Sequence, residues 1–76
     1  MKERLVQILS DVLGLPAQEI PADASMANIA QWDSIAHLNV ILTLEQEFHV
    51  QFSGEEFMAL NSLPAIGQAL AKRGIA

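Results

Sequence analysis

The stretch Trp32-Asp33-Ser34-Ile35-Ala36-His37-Leu38 marks the point where an irregular segment punctuated by prolines gives way to the most regular helical pattern of the sequence. Asp33 is a favourable N-cap, because its carboxylate can accept hydrogen bonds from the free N–H groups of a first helical turn. The spacing predicts a helix over residues 34–48, whose core face carries Val40, Ile41, Leu44 and Phe48. Ser34 then lies in the first turn, with its hydroxyl toward solvent.

The same helix carries more apolar surface than one core contact requires. Ile35, Leu38 and Leu42 gather on a separate face beside Ser34, and Glu45 follows one turn further along. The polar side of the helix carries Asn39, Thr43 and Gln46.

Three further helices are predicted around this one. An apolar stripe at Leu5, Ile8, Leu9 and Val12 indicates a helix over residues 2–13, which Gly14 and Pro16 terminate. The pattern Ser53-x-x-Glu56 predicts a capping box at the start of a short third helix through residue 59. The fourth helix follows Ser62 and ends at Gly74, with Pro64 in its first turn.

The connections between these helices are predicted to be irregular. Residues 48–52 alternate in polarity but lack a second strand to pair with, so we expect a connector. Residues 15–33 form a long first loop that its apolar side chains should pin across the helices. These side chains are Leu15, Ile20, Met26, Ile29 and Trp32. We expect Trp32 to pack under the end of the loop, with a direct partner contact as the alternative. The predicted fold is an all-α four-helix bundle with a long first loop and a short third helix.

Composition narrows the classes of function. With 76 residues, 51% of them hydrophobic, the sequence is expected to form one domain over residues 1–76 and not a disordered acidic chain. It has no cysteine, which excludes disulfides and thiolate zinc sites. A net charge of −5 with four basic residues argues against nucleic-acid binding. Charged residues from Lys2 onward, and the lack of any long apolar run, argue against a signal peptide or membrane span and favour the cytoplasm.

Two kinds of chemistry at Ser34 are disfavoured. Asp33, Ser34 and His37 supply the residue types of a hydrolytic triad, but neighbours on a helix diverge and no Gly-rich oxyanion loop is present. A calcium loop starting at Asp23 would need Gly where Asn28 stands and a bidentate Glu where Ser34 stands. We expect no catalytic and no metal-binding residues. His37 and His49 are interpreted as surface or half-buried side chains.

A third chemistry fits better. A serine hydroxyl at a helix N-terminus can accept a phosphoryl group, whose negative charge the free N–H groups and the helix dipole favour. The alternative is that Ser34 merely begins the helix. The Asp33-Ser34-Ile35 sequence at a loop-to-helix junction, with Leu44-Glu45-Gln46-Glu47-Phe48 closing the helix, resembles the acyl carrier proteins over essentially the whole chain. The Trp-Asp-Ser form is similar to that of stand-alone bacterial carriers.

The resemblance implies that a phosphopantetheinyl transferase, using coenzyme A and magnesium, attaches 4′-phosphopantetheine covalently to Ser34, with Asp33 as the helix cap beside it. The arm would carry acyl groups as thioesters to acyltransferase, ketosynthase or acyl-ligase type enzymes of fatty-acid, lipid or polyketide pathways, and the chain itself would be a monomer and not an enzyme. A long acyl chain would be expected to lie between the second and third helices. The family's partner-docking surface falls on Ile35, Leu38, Asn39, Leu42, Glu45, Gln46 and Phe52, besides Asp33.

This sequence departs from the fatty-acid carriers at three positions. Ala36, Asn39 and Gln46 stand where those carriers often have acidic residues. We therefore expect a specialised carrier, whose docking depends more on its apolar face than on salt-sensitive ion pairs. The competing hypothesis is a small helical protein-interaction module that is never phosphopantetheinylated.

Overall fold

The computed structural model of the protein describes residues 2–75, which form four α-helices. These are α1 (Lys2–Leu13), α2 (Ser34–Phe48), α3 (Gly54–Ala59) and α4 (Leu63–Lys72). Within the described residues there is no strand, only an isolated bridge between Ser25 and Ser62. The prediction of an all-α bundle with a long first loop and a short third helix is confirmed.

Helix α1 has the bounds that its periodicity predicts, but Val12 of the predicted stripe is only half-buried against the core, and Leu13 takes its place on the buried face. Its inward side chains Leu5, Ile8, Leu9 and Leu13 are all buried. Gly14 follows in the left-handed region, with φ of 71°, and its N–H donates to the carbonyl of Ser10 at 2.9 Å. A residue with a Cβ is strained in that conformation, which explains why glycine ends the helix.

The first loop is irregular except for a 3₁₀ turn at Ala17–Glu19, which the sequence did not indicate. Its apolar side chains anchor it to the core as predicted. Ile20, Ile29 and Trp32 are buried, while Leu15 and Met26 are half-buried against the core.

Backbone hydrogen bonds also tie the first loop to the start of α4. The Met26 N–H donates to the carbonyl of Asn61 at 3.0 Å, and the Leu63 N–H donates to the carbonyl of Ala24 at 2.8 Å. Buried side chains and backbone hydrogen bonds therefore both fix the position of the loop that precedes Ser34.

Helix α2 packs its predicted face into the core, with Val40, Ile41 and Leu44 buried and Phe48 half-buried. One expectation about this helix is wrong. His37, interpreted as a surface or half-buried side chain, is buried with 3% exposure. Its burial is tolerated because both ring nitrogens have hydrogen-bonding partners.

Helix α3 begins with the predicted capping box. The Ser53 hydroxyl accepts from the Glu56 N–H at 3.1 Å, and the Glu56 carboxylate accepts from the Ser53 N–H at 3.0 Å. Arg73, at the end of α4, donates to both Glu56 oxygens at 2.8 and 2.7 Å. The backbone hydrogen bond from Ser53, followed by the Arg73 guanidinium, lowers the pKa of Glu56 below its usual 4.5.

Helix α4 completes the core with the predicted inward residues Leu63, Ile66 and Leu70, all buried. An ion pair between Arg4 and Glu47 joins the start of α1 to the end of α2. None of the helices in residues 2–75 combines the length and apolar character needed to span a bilayer.

Candidate functional site

Ser34 is the first residue of α2, and its side chain is exposed. Asp33 immediately before it has extended backbone, and its carboxylate accepts from the Ala36 N–H at 2.8 Å. This is the N-cap predicted from the sequence, and it fixes where the first helical turn begins. The serine hydroxyl is thus presented at the end of the helix where unpaired N–H groups and the dipole favour an anion.

Ser34 also differs from the other serines in what its hydroxyl does. The chain has five serines, and four of them use the hydroxyl in local structure. The Ser10 hydroxyl donates to the Leu15 carbonyl. The hydroxyl of Ser25 accepts from the Ala27 N–H, that of Ser53 from the Glu56 N–H, and that of Ser62 from the Ala65 N–H. Among the described residues, no protein group is hydrogen-bonded to the Ser34 hydroxyl. It is therefore the serine that is free to react.

A chain of hydrogen bonds lies directly behind Ser34. Trp32, buried with 1% exposure, donates its Nε1–H to Nδ1 of His37 at 3.1 Å. Nε2 of His37 lies 2.6 Å from the carbonyl oxygen of Phe57 in α3. Because an indole can only donate, Nδ1 must be the unprotonated nitrogen and Nε2–H the donor to Phe57.

This arrangement bears on the hydrolytic alternative. Both nitrogens of His37 are engaged, one by Trp32 and the other by Phe57. Neither is left to accept a proton from Ser34, although His37 follows it by one helical turn. The structure brings serine and histidine close, but in an arrangement that does not activate the serine.

A cleft of about 280 Å³ opens beside Ser34, between the first loop, the start of α2 and α3. It is lined by Met26, Ser34, His37, Phe57, Met58 and Asn61. Its walls are mainly apolar, with the two thioethers at its rim. A larger groove of about 540 Å³ lies between α3 and α4, and Ser34 is not part of it.

The surplus apolar face of α2 is exposed in the structure. Ile35, Leu38 and Leu42 have exposures of 75%, 47% and 46%, and we refer to these three residues as the docking stripe. Asn39 and Gln46 lie exposed on the same helix. The stripe begins at the residue after Ser34.

Two of the predicted docking residues are already engaged within the protein. The Glu45 carboxylate accepts from the Phe52 N–H at 2.8 Å, and the guanidinium of Arg73 lies 4.9 Å from the centre of the Phe52 ring. Both side chains are half-buried. They shape the connector before α3, and only their outer parts are open to a partner.

Sequence reasoning placed one residue of this site wrongly and missed another. The periodicity of α2 could have identified His37, because positions 37, 41 and 44 share one helical face. Met58, with 74% exposure, stands beside the Ser34 cleft on α3. A helix of six residues has too little periodicity to show which of its apolar side chains points outward.

Comparison with known proteins agrees with this geometry. The phosphopantetheine attachment site family matches residues 3–70, and its members carry 4′-phosphopantetheine covalently on a serine. A non-reducing polyketide synthase of Penicillium brasilianum is 37% identical over 88% of this chain, which spans only 3% of that protein.

Carriers of similar size also match. The polyketide-8 synthase acyl carrier protein 2 of Streptomyces avermitilis is 29% identical, over 95% of this chain and 83% of that protein. An acyl carrier protein of Clostridium acetobutylicum is 31% identical, over 80% of this chain and 79% of its own length. The match to the attachment-site family covers most of the chain, and the helices it covers are those that present Ser34. The chain therefore belongs to the acyl carrier protein family, whose members carry acyl groups on phosphopantetheine and do not catalyse reactions themselves.

Proposed function

We propose that Ser34 is the residue that receives the phosphopantetheine arm. The observation that carries this proposal is the free, exposed Ser34 hydroxyl at the N-terminus of α2, in a chain whose other serine hydroxyls are all engaged. The fit is favourable in charge as well, because a phosphodiester there faces the free N–H groups of a 15-residue helix. When attached, the arm supplies a terminal thiol that holds acyl groups as thioesters.

The attachment step needs little from this chain. The Ser34 oxygen bonds to the phosphorus that joins pantetheine to the nucleotide in coenzyme A, and the phosphoanhydride bond breaks with adenosine bisphosphate as the leaving group. The hydroxyl proton passes to a base of the transferase. Since His37 is fully engaged, this base comes from the transferase, and magnesium bound there balances the phosphate charge. The contribution of this chain is to position and expose one oxygen atom.

The docking stripe is proposed as the main contact with the transferase and with acyltransferase, ketosynthase or acyl-ligase type partners. Three exposed aliphatic side chains in line with the modified serine are unusual on a helix that already buries a core face. Asn39, Glu45 and Gln46 would form the polar rim of this surface, with Phe52 next to Glu45. Met58 extends it onto α3.

We further propose a specialised pathway, with polyketide-type partners favoured. The docking stripe is flanked by neutral Asn39 and Gln46, so binding should rely on apolar burial more than on ion pairs. The names of two of the relatives refer to polyketide synthases. In this proposal, residues 1–76 form one carrier domain that acts as a monomer in the cytoplasm.

Intact mass spectrometry tests the role of Ser34. The protein is incubated with coenzyme A, magnesium and a promiscuous phosphopantetheinyl transferase, alongside Ser34→Ala and the control Ser25→Ala. We expect one phosphopantetheine on the wild type and on Ser25→Ala, and none on Ser34→Ala. Modification of Ser34→Ala, or none of the wild type, would refute the proposal.

The exposed docking stripe also favours a second candidate, a helical interaction module that never carries the arm. This candidate predicts an unmodified wild type that nevertheless binds a partner through Ile35, Leu38 and Leu42. The mass measurement separates the two, because only the carrier gains mass. Loss of partner binding in Leu38→Ala is expected under both candidates and does not discriminate between them.

A further inference from the structure

Helix α3 is joined to α4 by the Glu56–Arg73 ion pair and packs Phe57 against the core. None of its six residues is buried, and its own last carbonyls lack intrahelical partners, as in every helix of this type. The Phe57 carbonyl is one of these, and within residues 2–75 no backbone N–H reaches it. It accepts instead from Nε2–H of His37, on α2.

His37 therefore caps the end of α3 from a neighbouring helix. Its ring also contacts the Phe57 ring edge-on, with centroids 4.8 Å apart. Trp32 fixes the ring from the other side. Its indole N–H donates to Nδ1, which leaves Nε2–H as the donor toward α3. Three segments thus meet at one imidazole: the end of the first loop, the start of α2 and the last turn of α3.

These three segments also surround Ser34. Its cleft has His37 and Phe57 in its walls and Met58 at its rim, one residue after the carbonyl that His37 holds. Any movement of α3 away from α2 would change the distance between Met58 and the docking stripe. The hydrogen bond between His37 and Phe57 is therefore one of the contacts that fix the surface around Ser34.

We propose that His37 is a positioning residue, which latches α3 to the start of α2 and so keeps Met58 and the docking stripe in the arrangement that partners recognise. This inference rests on the proposed modification of Ser34, because the effect of His37 on partner recognition is measured through the kinetics of the phosphopantetheinyl transferase. The latch acts on recognition and not on the reacting atoms. It should change the KM of the transferase for this protein and leave kcat unaltered.

Two substitutions separate the hydrogen bonds of the ring. In His37→Gln the side-chain amide reaches as far as Nε2 and can still donate to the Phe57 carbonyl. In His37→Asn the shorter amide can still accept from Trp32 but cannot reach α3. Leu5→Val is the control, because Leu5 is buried on α1 near Gly67 of α4, and this substitution loosens the core at two helices that take no part in the latch.

Amide hydrogen exchange and transferase kinetics are measured on all four proteins. For His37→Asn we expect exchange of the Phe57, Met58 and Leu60 amides to accelerate about five-fold and the transferase KM to rise by a similar factor. His37→Gln should stay within about two-fold of the wild type in both measurements. In Leu5→Val, amide exchange in α3 should not accelerate more than amide exchange elsewhere in the protein.

The outcomes that overturn the latch are distinct from failure of the proposed function. Equal behaviour of His37→Asn and His37→Gln, or an effect in α3 that Leu5→Val reproduces, would show that His37 is only a core residue. A change in kcat without a change in KM would also contradict a positioning role. If the wild type takes no phosphopantetheine, the proposed function fails, and the exchange measurement still decides whether His37 holds α3.

Discussion

Asp33 provides a quantitative test of how the structure holds Ser34 in place. Its side chain is exposed and makes one hydrogen bond, the 2.8 Å cap to the Ala36 N–H, so replacing it leaves no cavity. Asp33→Ala removes the cap and should lower the free energy of unfolding by about 1 kcal/mol. For a domain of this size that corresponds to a melting temperature lower by about 4–8 °C.

Two further variants separate the cap from the charge. Asp33→Asn keeps an acceptor at the cap and loses the charge, which is worth about 0.3–1 kcal/mol near a helix N-terminus at low ionic strength. Its deficit should therefore disappear in high salt, whereas that of Asp33→Ala should persist. Ser62→Ala is the matched control, because Ser62 caps α4 through a 3.1 Å bond to the Ala65 N–H and should cost a similar amount.

Urea unfolding followed by tryptophan fluorescence measures these effects. The chain has one tryptophan, Trp32, which is buried beside the cap and reports directly on this region. The reasoning is refuted if Asp33→Ala is as stable as the wild type. It is also refuted if Asp33→Asn remains as unstable as Asp33→Ala at high salt, where the charge is screened, since a hydrogen-bond acceptor at the cap would then restore no stability.

Three further predictions concern other parts of the molecule. The lowered pKa of Glu56, caused by the Ser53 backbone hydrogen bond and then by Arg73, means that this carboxylate stabilises the fold at pH values above its usual 4.5. That contribution is lost as the pH falls through the lowered pKa. The urea midpoint of Glu56→Gln should therefore lie below that of the wild type at neutral pH and approach it in acid. A difference in midpoint that stays constant with pH would contradict this. His49 follows the last residue of α2 in the left-handed region, with φ of 55°. His49→Gly should therefore raise the free energy of unfolding by about 1 kcal/mol, measured in thermal melts. A variant less stable than the wild type would show that this backbone conformation is not strained. The Ile35 side chain is 75% exposed, so Ile35→Asp should melt within a few degrees of the wild type. Its affinity for the phosphopantetheinyl transferase, measured by calorimetry, should be at least about ten-fold weaker. An unaltered affinity would show that the docking stripe does not contact this partner.

Much of this fold could be predicted because its signals are local. The bounds of α1 and α2 follow from apolar periodicity and from the residues that terminate or cap them. The capping box of α3 is a four-residue pattern whose two hydrogen bonds the structure shows. Signals of this kind need no knowledge of which helices are neighbours.

The errors occurred where a side chain depends on a distant partner. His37 was interpreted as a surface or half-buried side chain, yet a neutral imidazole can be fully buried when Trp32 and the Phe57 carbonyl satisfy both of its nitrogens. Phe57 is 20 residues away, and no local pattern shows that its carbonyl would face α2. The exposure of Met58 likewise depends on how a six-residue helix is oriented by its neighbours.

The site itself was partly predictable for the same reason. Ser34 and the docking stripe lie in α2 and Asp33 caps its first turn, so helical geometry alone places them together. The cleft beside Ser34 is built from the first loop, α2 and α3, and only the tertiary structure reveals it. The role of each residue as a partner contact stays a prediction.

The central claim is that one hydroxyl of this chain carries the arm, and locating the modification tests it most directly. After incubation with coenzyme A and transferase, the protein is digested and the peptides that contain its serines are sequenced by tandem mass spectrometry. The account predicts one phosphopantetheine, on Ser34. A modification found on any other serine, or a Ser34 peptide that stays unmodified while the transferase modifies a known carrier in the same reaction, would contradict it.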